Sequence, residues 1–160
     1  MPTRFCPTCW AENAWGAEVC RQCGCPLGSS PEESYHAKLM QALQHPEPGT
    51  VAFAAHLLGQ LGVQEARLPL LRLLEEGRDP AILQEAIWAL GQLRACESVP
   101  ILCSLLQRSY LLARLEAVQT LGRLATAGCS GAREALVQVS AEDSSVGRRA
   151  KEELDDARGK

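Results

Sequence analysis

Three segments of this 160-residue chain read almost alike: AAHLLGQLG at 54–62, AIWALGQLR at 86–94 and AVQTLGRLA at 117–125. Their glycines, Gly59, Gly91 and Gly122, fall 32 and 31 residues apart. A glycine-free fourth copy, AKEELDDA at 150–157, places Ala150 and Leu154 each 33 residues after Ala117 and Leu121. A fixed period of this length is the mark of a helical solenoid, in which each unit buries its apolar face only against its neighbours. Each unit holds two helices. The first carries apolar residues at helical spacing: Val51, Ala54, Ala55, Leu58 and Leu61, then Leu83, Ala86, Ile87, Leu90 and Leu93, then Ala117, Val118, Leu121 and Leu124. The second starts near a proline in two copies, with Pro69 leading Leu70, Leu71, Leu73 and Leu74 and Pro100 leading Ile101, Leu102, Leu105 and Leu106. The third copy, Ala132 to Val139, lacks it. HPEPG at 45–49 stops one helix and starts the next, and Asp79-Pro80 reads as an N-cap followed by the first helical residue.

A glycine inside a helix costs about 1 kcal/mol against alanine, so its return in three copies needs a reason. A C-cap is one. However, Leu61, Leu93 and Leu124 continue the apolar phase, so the helices are expected to run on, with each glycine letting a neighbouring helix approach the backbone. Composition agrees: aromatic residues are 4% of the chain, and Ala, Leu, Gln and Glu outweigh β-branched types.

The first 27 residues differ in kind. FCPTCWAENAWGAEVCRQCGCPL at 5–27 holds five of the eight cysteines. The spacing is Cys6-x2-Cys9, ten residues, then Cys20-x2-Cys23. Two CxxC knuckles facing each other form an all-sulfur tetrahedral cage suited to Zn2+, with Zn–S near ~2.3 Å. An iron-loaded, rubredoxin-like site is the other occupant this donor set admits. A closed four-thiolate site has no open coordination position, which points to a structural metal, and metal binding would supply the folding free energy of so small a segment. Gly24 can take positive φ where the chain folds back. Cys25 is left over as a decoy ligand, a redox handle or, most simply, an unused surface thiol. Cys96, Cys103 and Cys129 lack ligand spacing, and Cys103 and Cys129 read as small, half-buried fillers.

Two resemblances rest on these residues. Cys6-Pro7-Thr8-Cys9, Ala11-Glu12-Asn13, Gly16-Ala17, Cys20-Arg21-Gln22-Cys23-Gly24 and Pro26-Leu27 resemble the short zinc-ribbon modules at the N-termini of many bacterial and archaeal proteins. Trp10 departs from that pattern, standing where those modules carry glycine, so the first knuckle either lacks the left-handed residue or bears strain there. The repeats over 46–157 are similar to the short HEAT-like repeats whose class includes phycobilin lyase subunits. Together they imply an all-α, HEAT-like α-solenoid of three to four helical hairpins behind a four-cysteine zinc ribbon. The expected division is ribbon 1–27, linker 28–34 (GSSPEES) and repeat domain 35–160.

Several functions are disfavoured. The formal net charge is −3, with cations scattered among acids, which argues against binding driven by phosphate contacts. His36, His45 and His56 are not followed by Glu, unlike the iron-holding His-Glu steps of HEAT-like hydroxylases. No signal-peptide h-region follows Arg4, and no apolar run approaches the ~20 residues of a membrane span. The expected compartment is therefore cytoplasmic and reducing, where clustered thiols favour metal over disulfides. The reading is a non-catalytic adaptor that docks another protein, with Cys6, Cys9, Cys20 and Cys23 holding Zn2+. Candidate partner contacts are Arg72, Glu76, Trp88, Gln107 and Arg108, the second helices being expected to line the concave face. For Trp88, packing against an adjacent repeat is the plainer reading. The alternatives are a nucleic-acid-binding ribbon protein and an accessory or lyase-like subunit of an enzyme complex.

Overall fold

A computed structural model describes residues 3–27, 35–77, 79–108 and 110–157, the side chain of Arg108 excepted. The linker expected over 28–34 lies outside the described residues. The chain opens with a two-stranded antiparallel sheet, β1 (Thr3–Phe5) and β2 (Glu12–Ala14), in register Thr3↔Ala14, Arg4↔Asn13 and Phe5↔Glu12. The helices follow as α1 (Tyr35–Ala42), α2 (Pro48–Gln60), α3 (Arg67–Glu76), α4 (Pro80–Gln92), α5 (Val99–Arg108), α6 (Leu111–Thr126), α7 (Ala132–Ser140) and α8 (Ser145–Asp156). The protein is thus an all-α solenoid behind a small cysteine-rich hairpin. Among the described residues, no helix is long and apolar enough to cross a membrane.

Local sequence accounts for the helix starts. The Glu47 carboxylate accepts hydrogen bonds from the N–H groups of Gly49 and Thr50, and Asp79 accepts from Ala81 and Ile82. In both cases proline takes the first helical position, where its missing N–H has no helical partner to lose. Pro69 and Pro100 lie within the first turns of α3 and α5.

The helices form two layers. In one, α2 packs on α4, α4 on α6 and α6 on α8; in the other, α3 and α5 barely meet. The core between the layers is aliphatic. Leu58, Leu90 and Leu121 from the first helices, with Leu70, Leu102 and Leu136 from the second, are all fully buried.

The glycines explain the difference between the layers. A Cβ on Gly59 would stand 2.7 Å from both Cα and Cβ of Ala89, and one on Gly91 would stand 3.1 Å from the Thr120 side chain. On Gly122 it would collide with the Glu153 carboxylate. Close approach is therefore the role of all three. The expected continuation of the helix holds only for α6. α2 and α4 end one residue past their glycines, because Gly62 (φ 70°) and Arg94 (φ 51°) turn left-handed just beyond. In the third copy the left-handed residue is Gly128, so α6 runs on to Thr126. Leu93 and Leu124 are buried, but Leu61 is 48% exposed.

A stack that is tight in one layer and splayed in the other curves toward the tight one. The inner, concave surface therefore belongs to α2, α4, α6 and α8, and the second helices take the outer side. This reverses the placement expected from sequence, and the reason is the backbone approach that glycine permits.

The repeat also brings together two cysteines whose linear spacing gave no sign of pairing. Cys96 and Cys129 form a disulfide, 33 residues apart, with Cα atoms 5.2 Å from each other. Their separation is one repeat, so equivalent turns after α4 and α6 lie side by side within the Cα range a disulfide spans. Cys129 is buried, but as a covalent link between repeats and not as a filler. Cys103 is half-buried and unpaired.

Two outcomes follow for chemical denaturation. Gly59→Ala should lower stability by about 1–3 kcal/mol, because overpacking against Ala89 outweighs the gain in helix propensity. Reduction of the Cys96–Cys129 bridge, or its replacement by serines, should remove about 3–4 kcal/mol, the effect of a cross-link closing a loop of this length.

Candidate metal centre and inner face

The N-terminal hairpin gathers its thiols at one point. The Sγ atoms of Cys6, Cys9, Cys20 and Cys23 all lie within 4.8 Å of one another. Cys6–Cys23 and Cys9–Cys20 are each 3.6 Å apart. Four sulfurs at tetrahedral bonding distance from one ion stand about 3.8 Å apart, so the cluster fits a single soft metal.

Backbone geometry prepares the donors. In the first knuckle the N–H groups of Thr8 and Cys9 point at Cys6 Sγ, at 3.3 and 3.4 Å. In the second, Gln22 N–H points at Cys20 Sγ at 3.4 Å. Trp10 and Gly24 close the two turns, with N–H bonds of 2.9 Å back to the carbonyls of Cys6 and Cys20. Both residues are left-handed, Trp10 at φ 60° and Gly24 at φ 71°. The strained alternative foreseen for Trp10 is the one adopted.

Electrostatics favours a cation. Burial raises the Cys6 thiol, but the N–H groups of Cys9 and Thr8 and the thiols of Cys25 and Cys23 outweigh it and lower it to about 5. At Cys23 the N–H of Cys25 pulls down, yet partial desolvation and the nearby Cys9 and Cys6 thiols push it up to about 11. Without a counter-charge the cluster cannot hold four thiolates; a divalent ion lets all four ionise.

Sequence reasoning passed over one residue that supports the site. Asn13 is 3% exposed, donates from Nδ2 to Ala11 O at 2.6 Å and toward Cys20 Sγ at 3.7 Å, and accepts from Arg21 N–H at 3.0 Å. It lies in the Ala11-Glu12-Asn13 stretch, whose match to ribbon modules was the available signal. Cys25 is also closer to the centre than expected: it is partly buried, with its sulfur 3.2 Å from that of Cys6.

A second constellation occupies the inner face of the repeats. His56 on α2 stacks on Trp88 of α4, ring centroids 4.4 Å apart and nearly parallel. His56 Nδ1 also lies 2.9 Å from Glu85. Glu116 meets Arg123 at 3.5 Å, and Arg149 meets Glu152 and Glu153 at 2.9 Å each. Burial raises the pKa of Glu116, with Arg123 opposing the shift. Phe53, at the end of this row, is 64% exposed.

The profile described as HEAT repeats matches residues 36–122 and again 69–155, two registers displaced by about one repeat. This chain belongs to the HEAT-repeat family. No curated protein matches it. The four cysteines lie outside the region that the HEAT-repeat profile covers. Within the HEAT repeats, the sequence-derived contact residues divide between layers. Arg72 and Glu76 on α3 and Gln107 on α5 are exposed on the outer side, whereas Trp88 faces the inner one and is half-buried. Arg108 ends α5, its side chain being outside the description. The four with described side chains do not make one patch. The neighbour Trp88 has instead, His56, was legible in the repeat register, since the two hold the same position in successive units.

Metal binding is checked by titrating Co2+ into the reduced, metal-free chain. One equivalent should bring thiolate charge-transfer and tetrahedral ligand-field bands, both lost in Cys20→Ser. Affinity should fall as pH drops, by about tenfold per pH unit for each proton the metal displaces.

Proposed function

We propose that the chain is a non-catalytic adaptor: a HEAT-repeat surface that docks another protein, led by a ribbon folded around structural Zn2+. The Cys96–Cys129 disulfide counts against the reducing cytoplasm expected from sequence. The observation that carries the docking reading is the inner face. The His56–Trp88 stack, with exposed Phe53 one turn earlier on α2, supplies aromatic groups beside the Glu85, Glu116–Arg123 and Arg149–Glu153 charges. An aromatic anchor with a polar rim is the usual make-up of a protein-binding hot spot, and helical repeats present such groups on an extended concave surface. Arg72, Glu76, Gln107 and Arg108 are assigned to a secondary, outer contact.

Zinc as the resident ion rests on four soft thiolates around one centre and on the N–H groups already aimed at their sulfurs. Its role is to hold the module together, since among the described residues the apolar cluster there is small: Cys6, Cys20 and Leu27 with partly buried neighbours. Residues 1–27 would then act as a separate module ahead of the repeats.

Affinity capture from the native cell tests the proposal. The full chain should retain a defined protein partner, and Phe53→Asp, a change at an exposed position, should reduce its recovery at least tenfold. Recovery that Phe53→Asp and Trp88→Ala leave intact would overturn the inner-face reading. Salt-sensitive retention of nucleic acid, or a coloured ligand copurifying with the chain, would replace it with the nucleic-acid or lyase-like alternative.

A further inference from the structure

The cysteine-rich hairpin holds five thiols, and a tetrahedral ion needs four. We propose that Cys25 is an oxidisable thiol whose reaction with a hydroperoxide removes Cys6 from the metal and releases it. The inference rests on the metal-binding reading of the cluster.

Placement singles out the pair. Cys25 Sγ is 3.2 Å from Cys6 Sγ, closer than the 3.6 Å separating Cys6 from Cys23. Of this pair Cys25 is partly exposed and Cys6 fully buried, so Cys25 is the one an oxidant from solvent can reach; Cys23 is more exposed but belongs to the four-sulfur set. It also lies outside the four-sulfur set, so its sulfur is not committed to the ion. The backbone around it is fixed: Cys25 O accepts from Cys20 N–H at 2.8 Å, and Pro26 bridges to Val19. Cys25 is thus held beside Cys6 by the same turn that supplies the second knuckle.

The chemistry balances with the hydroperoxide alone. Cys25 sulfur attacks the O–O bond, an S–O bond forms, and the thiol proton leaves with the departing oxygen as water or an alcohol. Cys6 sulfur then displaces the hydroxyl of the sulfenic acid, which leaves and takes up a proton as water. The two sulfurs lose two electrons to the peroxide and become a disulfide. Cys6 no longer ligates, and three thiolates remain on an ion that prefers four. A dithiol reductant restores the pair by exchange.

The test uses the full chain carrying one equivalent of Zn2+. Hydrogen peroxide is added, released metal is followed with a chromogenic chelator, and disulfides are mapped by peptide mass spectrometry. Wild type should release its ion as a Cys6–Cys25 disulfide appears, and take it up again after reduction. Cys25→Ser should bind Zn2+ as wild type does and release it at least tenfold more slowly; Cys103→Ser should match wild type. Equal release from Cys25→Ser and wild type, a disulfide joining other ribbon cysteines, or loss of Zn2+ binding in unoxidised Cys25→Ser would each overturn the inference while leaving the metal site standing. A wild-type chain that holds no Zn2+ before peroxide is added would overturn the metal reading and this inference with it.

Discussion

The approach of α4 to the backbone of α2 at Gly59 sets the geometry of everything behind the hairpin. Because no Cβ stands in the way, Ala89 sits against the glycine, and the contact recurs with Thr120 at Gly91 and Glu153 at Gly122. The partners change from a methyl group to a hydroxyl-bearing side chain to a carboxylate, while the short spacing is kept. Thr120 converts the proximity into a bond, its hydroxyl donating to Ile87 O at 3.3 Å across the interface. Arg67 ties the layers from outside, donating to Leu93 O at 2.6 Å and so satisfying a carbonyl at the end of α4. The inner face follows from this spacing: His56 and Trp88 come close enough to stack only because their helices are already drawn together.

Much of this was legible in the chain before any coordinate. The period placed the helices, the Leu and Ala positions gave their buried sides, and Asp79-Pro80 marked a helix start that the structure keeps. What failed was tertiary. The apolar phase of Leu61 predicted a longer α2, but phase cannot report the left-handed Gly62 that ends the helix there. Which layer lies inside was also hidden, because the inference from glycine to spacing had to be carried one step further, from spacing to curvature. Cys96 and Cys129 lack ligand spacing, yet their separation is the repeat itself. In the hairpin, the four-thiol cluster was fully legible from the CxxC spacing. The position of Cys25 was not, since it depends on how the turn after Gly24 folds back.

Trp10 joins the two parts of the molecule. An L-residue in the left-handed region costs about 1–2 kcal/mol, and a glycine would avoid it. The tryptophan ring lies edge-on to His45, centroids 4.3 Å apart, in the turn between α1 and α2. The side chain that strains the first knuckle is therefore the one that touches the repeats. The hairpin's own apolar cluster of Cys6, Cys20 and Leu27 is separate from the long core of the solenoid, and the Trp10–His45 contact lies outside both.

The inter-repeat disulfide gives the stack a mechanical asymmetry. A solenoid of hairpins behaves as a spring, each coil held to the next by side contacts that yield one after another under tension. The bond from Cys96 to Cys129 short-circuits the chain between them, so α5 and α6 carry no load when the two ends are pulled apart. Extension is left to the segments on either side, and under force the middle of the molecule would travel as an inextensible block.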